Sequence, residues 1–218
     1  MKSRVLLILA VLALAALACE FSFGFGDNAS SSSDPNVLFE DDFSNVDSGW
    51  DRSTYTGLGL TDYENGGYRI QVIAENSYVF ANPSRNFSDV SITVEATKIG
   101  GDDDNEFGVI CRQANLENFY AATISSDGFY SFVALKDDSL QFLNMENMLP
   151  APAINQGDAT NTIRLDCIGS KLTLYVNGEF VGETVDDSLS SGDVGLYAGT
   201  FSIPGTDILF DNMVVREP

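Results

Sequence analysis

The feature that most constrains this chain is a period-two alternation of apolar and polar residues, seen in nine segments and broken each time by turn residues. These are "GGYRIQVIA", "VSITVEATKI", "NEFGVICRQ", "NFYAATI", "GFYSFVALK", "NTIRLDCI", "KLTLYVNG", "GDVGLYAG" and "DILFDNMVV". A period of two puts every second side chain on one face of an extended strand; a helix needs apolar residues three and four apart. Beyond the first 18 residues no segment sustains a helical period. Turns fall where hairpins need them: "SSDG" before Phe129, "GS" before Lys171, and Asn177-Gly178, a pair suited to a type I′ turn. The pattern predicts an antiparallel all-β protein. With many short strands and no repeat of fixed period, it predicts a two-sheet sandwich rather than a propeller or solenoid.

The first 36 residues follow other rules. Lys2 and Arg4 precede an apolar run, Val5 to Ala18, that is too short to span a bilayer. Residues 1–18 therefore read as a secretory signal peptide. Ala16-Leu17-Ala18-Cys19 resembles the lipobox of bacterial lipoproteins, which implies lipidation of Cys19 and attachment to a membrane through that lipid. An ordinary Ala-x-Ala cleavage, giving a secreted and soluble protein, is the alternative. Residues 19–36, "CEFSFGFGDNASSSSDPN", are rich in Gly, Ser, Asn and Asp and read as a tether, leaving 37–218 as one domain.

Charge and composition exclude several functions. The chain has 11 Lys+Arg against 32 Asp+Glu; loss of Lys2 and Arg4 with the signal takes the net charge from −21 to −23. Such a field repels nucleic acid and anionic lipid, so neither is expected as a partner. There is no histidine, hence no Ser-His-Asp triad, no Cys-His pair and no imidazole zinc site. Any catalysis would fall to carboxylates. Cys111 and Cys167 belong to an exported protein and are expected to form a disulfide, the alternative being two buried thiols.

Alternation also assigns faces. Phe107, Val109 and Cys111 share a parity, as do Ile163, Leu165 and Cys167, so both cysteines should point between the sheets. On the opposite parity of these and nearby strands the same reading places Arg112, Tyr120, Tyr130, Phe132, Arg164, Asp166, Tyr175 and Tyr197.

The segment "LTLYVNGEFVGETVDDSLSSGDVGLYAG" followed by "ILFDNMVV" resembles the C-terminal half of laminin-G-like and other concanavalin A-like jelly rolls. The opening "LFEDDFSNVDSGW" is similar to the first strand of such domains, including the laminarinase and 3-keto-disaccharide hydrolase types. The resemblance implies two curved sheets with a concave face that holds carbohydrate in many relatives. Arg112, Tyr120, Tyr130, Arg164, Asp166, Tyr175 and Tyr197 are the candidates for that face, through ring stacking and hydroxyl recognition. The laminarinase-type carboxylate trio on one strand is absent. The nearest match, "GGDDDNEFG" with Asp102, Asp104 and Glu106, reads as a solvated turn, with an ion-binding loop as the alternative. Relatives also hold a structural calcium between opening and closing strands; Asp42 and Asp211 occupy the matching places, either as its ligands or as caps of those strands. Trp50 is expected in the core, or else stacked on a sugar. The resulting expectation is a non-catalytic, exported domain of the cell envelope that binds a glycan or another surface ligand. A glycosidase or sugar lyase using Asp166, and a protein-binding scaffold, are the alternatives.

Overall fold

Every alternating segment becomes a strand. The computed structural model describes residues 34–218, and among these the chain folds into sixteen strands and no helix. Cys19, the signal segment and most of the tether lie outside the described residues.

A nine-stranded antiparallel sheet runs in the order β14 (Glu179–Val185), β13 (Lys171–Val176), β12 (Thr160–Ile168), β6 (Val90–Gly100), β16 (Thr206–Arg216), β4 (Gly67–Val72), β3 (Gly59–Glu64) and β2 (Ser53–Tyr55). Its ninth strand, β1 (Val37–Asp41), pairs with the C-terminal half of β16. A seven-stranded sheet runs β10 (Ser139–Phe142), β9 (Phe129–Lys136), β8 (Asn118–Ile124), β7 (Asn105–Asn115), β15 (Asp193–Thr200) and β5 (Tyr78–Ala81), with β11 (Leu149–Pro150) also on β9. Asn177 and Gly178 both take positive φ, as the type I′ turn requires. Asn65-Gly66 does the same between β3 and β4, and Asp137-Asp138 between β9 and β10, the latter without a glycine.

The core fills the space between the sheets. Phe107, Val109 and Cys111 of β7 meet Ile163, Leu165 and Cys167 of β12 and Ile208 and Phe210 of β16, all buried. Trp50 is there too: its Nε1 donates to Asp41 Oδ2 at 3.0 Å, and its ring lies 5.2 Å from Tyr68 and 5.4 Å from Phe43. Phe43 holds φ at 54°, an uncommon backbone for an aromatic residue, and buries its ring within this cluster.

The Cys111–Cys167 disulfide ties the two sheets together across 56 residues of sequence. Chain entropy assigns a loop of that length a stabilisation of about 4 kcal/mol. Replacing both cysteines by alanine is expected to lower the unfolding free energy by about that amount, read from urea midpoints. An unchanged midpoint would mean that the core alone sets the stability.

Candidate ligand site

The residues expected on one face are distributed over four places. Tyr120 sits opposite Cys111 in the β7–β8 register and therefore points inward with it; it is fully buried. Its hydroxyl donates to Asp186, which also receives Lys136 Nζ at 2.9 Å. Burial works against the Asp186 charge, but hydrogen bonds from Ser188, Tyr120 and Lys136 hold its carboxyl well below the usual range. Tyr130 and Phe132 also turn toward the core, their rings 6.1 Å apart. These inward orientations correct the parity reading for β8 and β9.

Arg112 is displaced by a bulge. It takes φ of 54°, and the β7–β8 pairing is irregular from Cys111 to Asn115. Its buried guanidinium donates to Leu189 O at 3.0 Å and to Asp89 Oδ1 at 3.1 Å, so it ties loops together at the end of the sandwich.

Arg164, Asp166 and Tyr175 do come together, on the outer face of the nine-stranded sheet. The Arg164 guanidinium lies 3.7 Å from the Tyr175 ring centroid, and its Nη2 donates to Asp166 Oδ2 at 3.3 Å. Ser91 Oγ donates to the other Asp166 oxygen at 2.6 Å. One face of Tyr175 is thus covered by arginine, and Phe180 stands edge-on 5.9 Å away.

Tyr197 alone lies on the outer face of the seven-stranded sheet, and it is fully buried in a second apolar cluster with Ile110, Phe119, Ala121, Val133 and Leu135. Tyr78 stacks on Tyr197 at 5.6 Å, and Phe80 meets Phe119 at 5.1 Å. Among these rings sits Glu106, the second residue of β7 and a buried strand residue rather than part of a solvated turn. Tyr197 Oη donates to Glu106 Oε1, and the absence of a side chain at Gly199 makes room for the pair: a Cβ there would lie 2.8 Å from Oε1. Burial pushes the Glu106 carboxyl up to about 7, and the tyrosine hydrogen bond offsets part of the rise.

One end of this face opens into a cleft. A cavity of about 180 Å³ is lined by Glu106, Val133, Leu140, Gln141, Phe142 and Phe201. A second, of about 370 Å³, shares Phe142 and Phe201 and adds Asp104, Asp127, Phe129 and Asn147. The three phenylalanines are half-buried. Asp104 is held above the usual carboxylate range by partial burial and by the charges of Asp127 and Asp102. Sequence reasoning missed this site because both faces of β8 and β9 are apolar, and Asp127 and Phe201 lie in loops. Its one legible signal was the alternation of Asp102, Asp104 and Glu106.

A further cavity, of about 670 Å³, runs along β1 and β16, with Glu40, Asp42, Asn45 and Arg85 among its lining residues. Its aromatic ring, Phe39, is covered by Arg85 at 5.1 Å. At the same end Asp42 Oδ1 accepts hydrogen bonds from the Ser44 hydroxyl at 2.6 Å and the Ser44 amide at 3.0 Å. Asp211 Oδ1 accepts from Asn212 N at 2.7 Å. Burial, and then the charges of Glu95 and Asp42, raise the Asp211 carboxyl. Among the described residues no group of three or more acidic, cysteine or histidine side chains is placed to hold a metal ion.

The two curled antiparallel sheets make this a concanavalin A-like jelly-roll sandwich. Among solved structures it is similar to the carbohydrate binding module CBM66 from Bacillus subtilis, with 16% identity over 78% of this chain and 96% of that one and a TM-score of 0.63. A Bacillus licheniformis beta-glucanase matches at 10% identity over 83% of this chain and 97% of that one, with a TM-score of 0.57. A Bacillus subtilis protein of unknown function with a galectin-like fold matches at 11% identity over 84% and 96%, with a TM-score of 0.59. No family model and no curated protein matches the sequence.

Glu106 makes stability depend on pH. Its folded-state value lies above the ordinary 4.5, so the folded protein keeps a proton that the unfolded chain releases between about 4.5 and about 7. The Glu106 contribution to stability is then highest below this window and falls as pH rises through it, by about 3 kcal/mol. With no histidine in the chain to titrate there, urea midpoints on either side of the window are expected to differ for the wild type and to converge in Glu106→Gln. Parallel profiles for the two would place the carboxyl in water.

Proposed function

We propose that residues 37–218 form a non-catalytic carbohydrate-binding domain, displayed outside the cytoplasm on a lipidated Cys19, with its glycan held in the cleft of Phe129, Phe142 and Phe201. The convergence of these half-buried rings with Asp104, Asp127 and Asn147 is the observation that carries the reading. Pyranose rings present apolar C–H faces that pack on aromatic rings, while carboxylates and amides bind the hydroxyls around their edge. Similarity in fold to a carbohydrate binding module supports it, since this chain spans 96% of that module. Similarity to a beta-glucanase keeps hydrolysis as the second reading, favoured by the raised carboxyl of Glu106 next to the same cleft.

A glycan array, followed by calorimetric titration of the hits, tests this. Selective binding is expected, weakened about tenfold in Phe142→Ala and in Phe201→Ala, equivalent to about 1.4 kcal/mol, and unchanged in Tyr175→Ala. Release of reducing ends from a β-glucan would replace binding with catalysis, and silence across the array would leave a protein-binding scaffold. Thermal unfolding with calcium and with a chelator tests the Asp42–Asp211 pair: loss of thermal stability on chelation is the result expected of a structural ion.

A further inference from the structure

The outer face of the seven-stranded sheet is apolar and dry where the outer face of an antiparallel sheet ordinarily meets water. Ile110, Phe119, Ala121, Val133, Leu135 and Tyr197 all point to that side, and none is more than 2% exposed. Thr123 and Ser131, on the same side, are also fully buried, and their hydroxyls bond each other at 2.7 Å. Among the described residues, the half-buried apolar side chains packed on this cluster are Tyr78, Phe80, Leu140 and Phe142, all from the same sheet. Side chains on one sheet face stand side by side, so they shield one another's flanks and leave their ends open. The nine-stranded sheet packs on the opposite, inner face. Burial to this depth therefore needs a cover that the two sheets do not supply.

The sequence upstream of Asp34 contains a segment of matching chemistry. In Phe21-Ser22-Phe23-Gly24-Phe25 the rings recur at every second residue, so an extended backbone presents all three on one side and Ser22 and Gly24 on the other. Residues 21–26 carry no charge, in a chain with 32 Asp+Glu. The reach is also sufficient. Val37 pairs with Arg216 and Arg216 with Ser91, so the domain begins at the end of the sandwich where Arg112 of the seven-stranded sheet bonds Asp89. Residues 26–33, fully extended, span about 26 Å, and stacked sheets lie only about 10 Å apart. The chain can pass that end of the sandwich and return along the outer face.

We infer that residues 21–25 dock across the outer face of the seven-stranded sheet, with Phe21, Phe23 and Phe25 set on the row that runs from Tyr78 through Phe119 to Leu140. Undocked, the segment and the face would be two apolar surfaces in water within reach of each other, and their association removes both from solvent. Only Glu20 then separates Cys19 from the docked stretch, so a lipid on Cys19 would hold the domain against the membrane instead of at the end of a long tether. The inference stands apart from what the neighbouring cleft binds.

The test replaces Phe23 by the photo-crosslinking residue p-benzoylphenylalanine in the exported full chain and maps the adducts by mass spectrometry after irradiation. Intramolecular adducts to β5, β8, β9 or β10 are expected. Adducts to a second copy, to lipid alone, or to no preferred residue would each overturn the inference. A second measurement uses the combined variant Phe21→Ser, Phe23→Ser and Phe25→Ser, whose changes lie outside the sandwich. Nile red, a neutral apolar dye that the acidic surface does not repel, is expected to fluoresce about threefold more strongly with this variant, while circular dichroism reports the same strand content. Equal dye emission from the variant and the unaltered chain would mean that residues 21–25 do not cover the face.

Discussion

The bulge in β16 is the constraint on which the rest of the sandwich depends. Its N-terminal half pairs with β4 through Phe210, and its C-terminal half pairs with β1 from Met213 onward, while β6 runs along the other edge. The extra residue falls at Asp211–Asn212, where the β6 register shifts and Asn212 takes φ of 53°. Buried positions accordingly change parity, from Ile208 and Phe210 before the bulge to Met213 and Val215 after it. A strict alternation would send one half of this strand's apolar residues into solvent. One inserted residue lets a single strand bury both halves and accept a different neighbour beside each.

Bulges and two-sided burial also mark where the sequence stopped being legible. Nine alternating segments gave nine strands because each places apolar side chains on at least one face, and the inward cysteines followed from parity alone. Short strands such as β2, β5 and β10 carry too few residues for a period to emerge. In "NFYAATI" both parities are apolar, so only the pairing of Cys111 with Tyr120 decides which aromatic faces inward. Arg112 escaped because a bulge cannot be seen in an alternation pattern. The cleft drew residues from β7, β9, β10 and four loops, and no local pattern joins Asp127 to Phe201. Glu106 was obscured by the acidic run that precedes it, which has the composition of a turn although the strand begins at Asn105.

The chain's few cations explain why its acidity is felt so strongly in one place. Among the described residues every lysine and arginine except Arg85 has a carboxylate within ion-pairing distance. Arg69 bridges Glu64 and Asp207 at 2.6 and 2.5 Å, and Arg112 binds Asp89 from a buried position. The exposed pairs, such as Lys171 with Glu183, add little to stability. Their effect is to commit basic side chains to the framework, so that the carboxylates left over, including those around Phe142 and Phe201, meet no protein counter-ion.

The pairing of β1 with β16 places Val37 opposite Arg216, so the two ends of the folded domain leave it side by side. A unit with adjacent ends behaves in a longer polypeptide as a bead rather than a link. It can be inserted in a loop of a host without prising that loop apart, and copies can be strung in series with each one free to swivel about a single point of attachment. Load applied through the chain on either side would be borne by the short β1–β16 ladder and would bypass the disulfide-bridged interior.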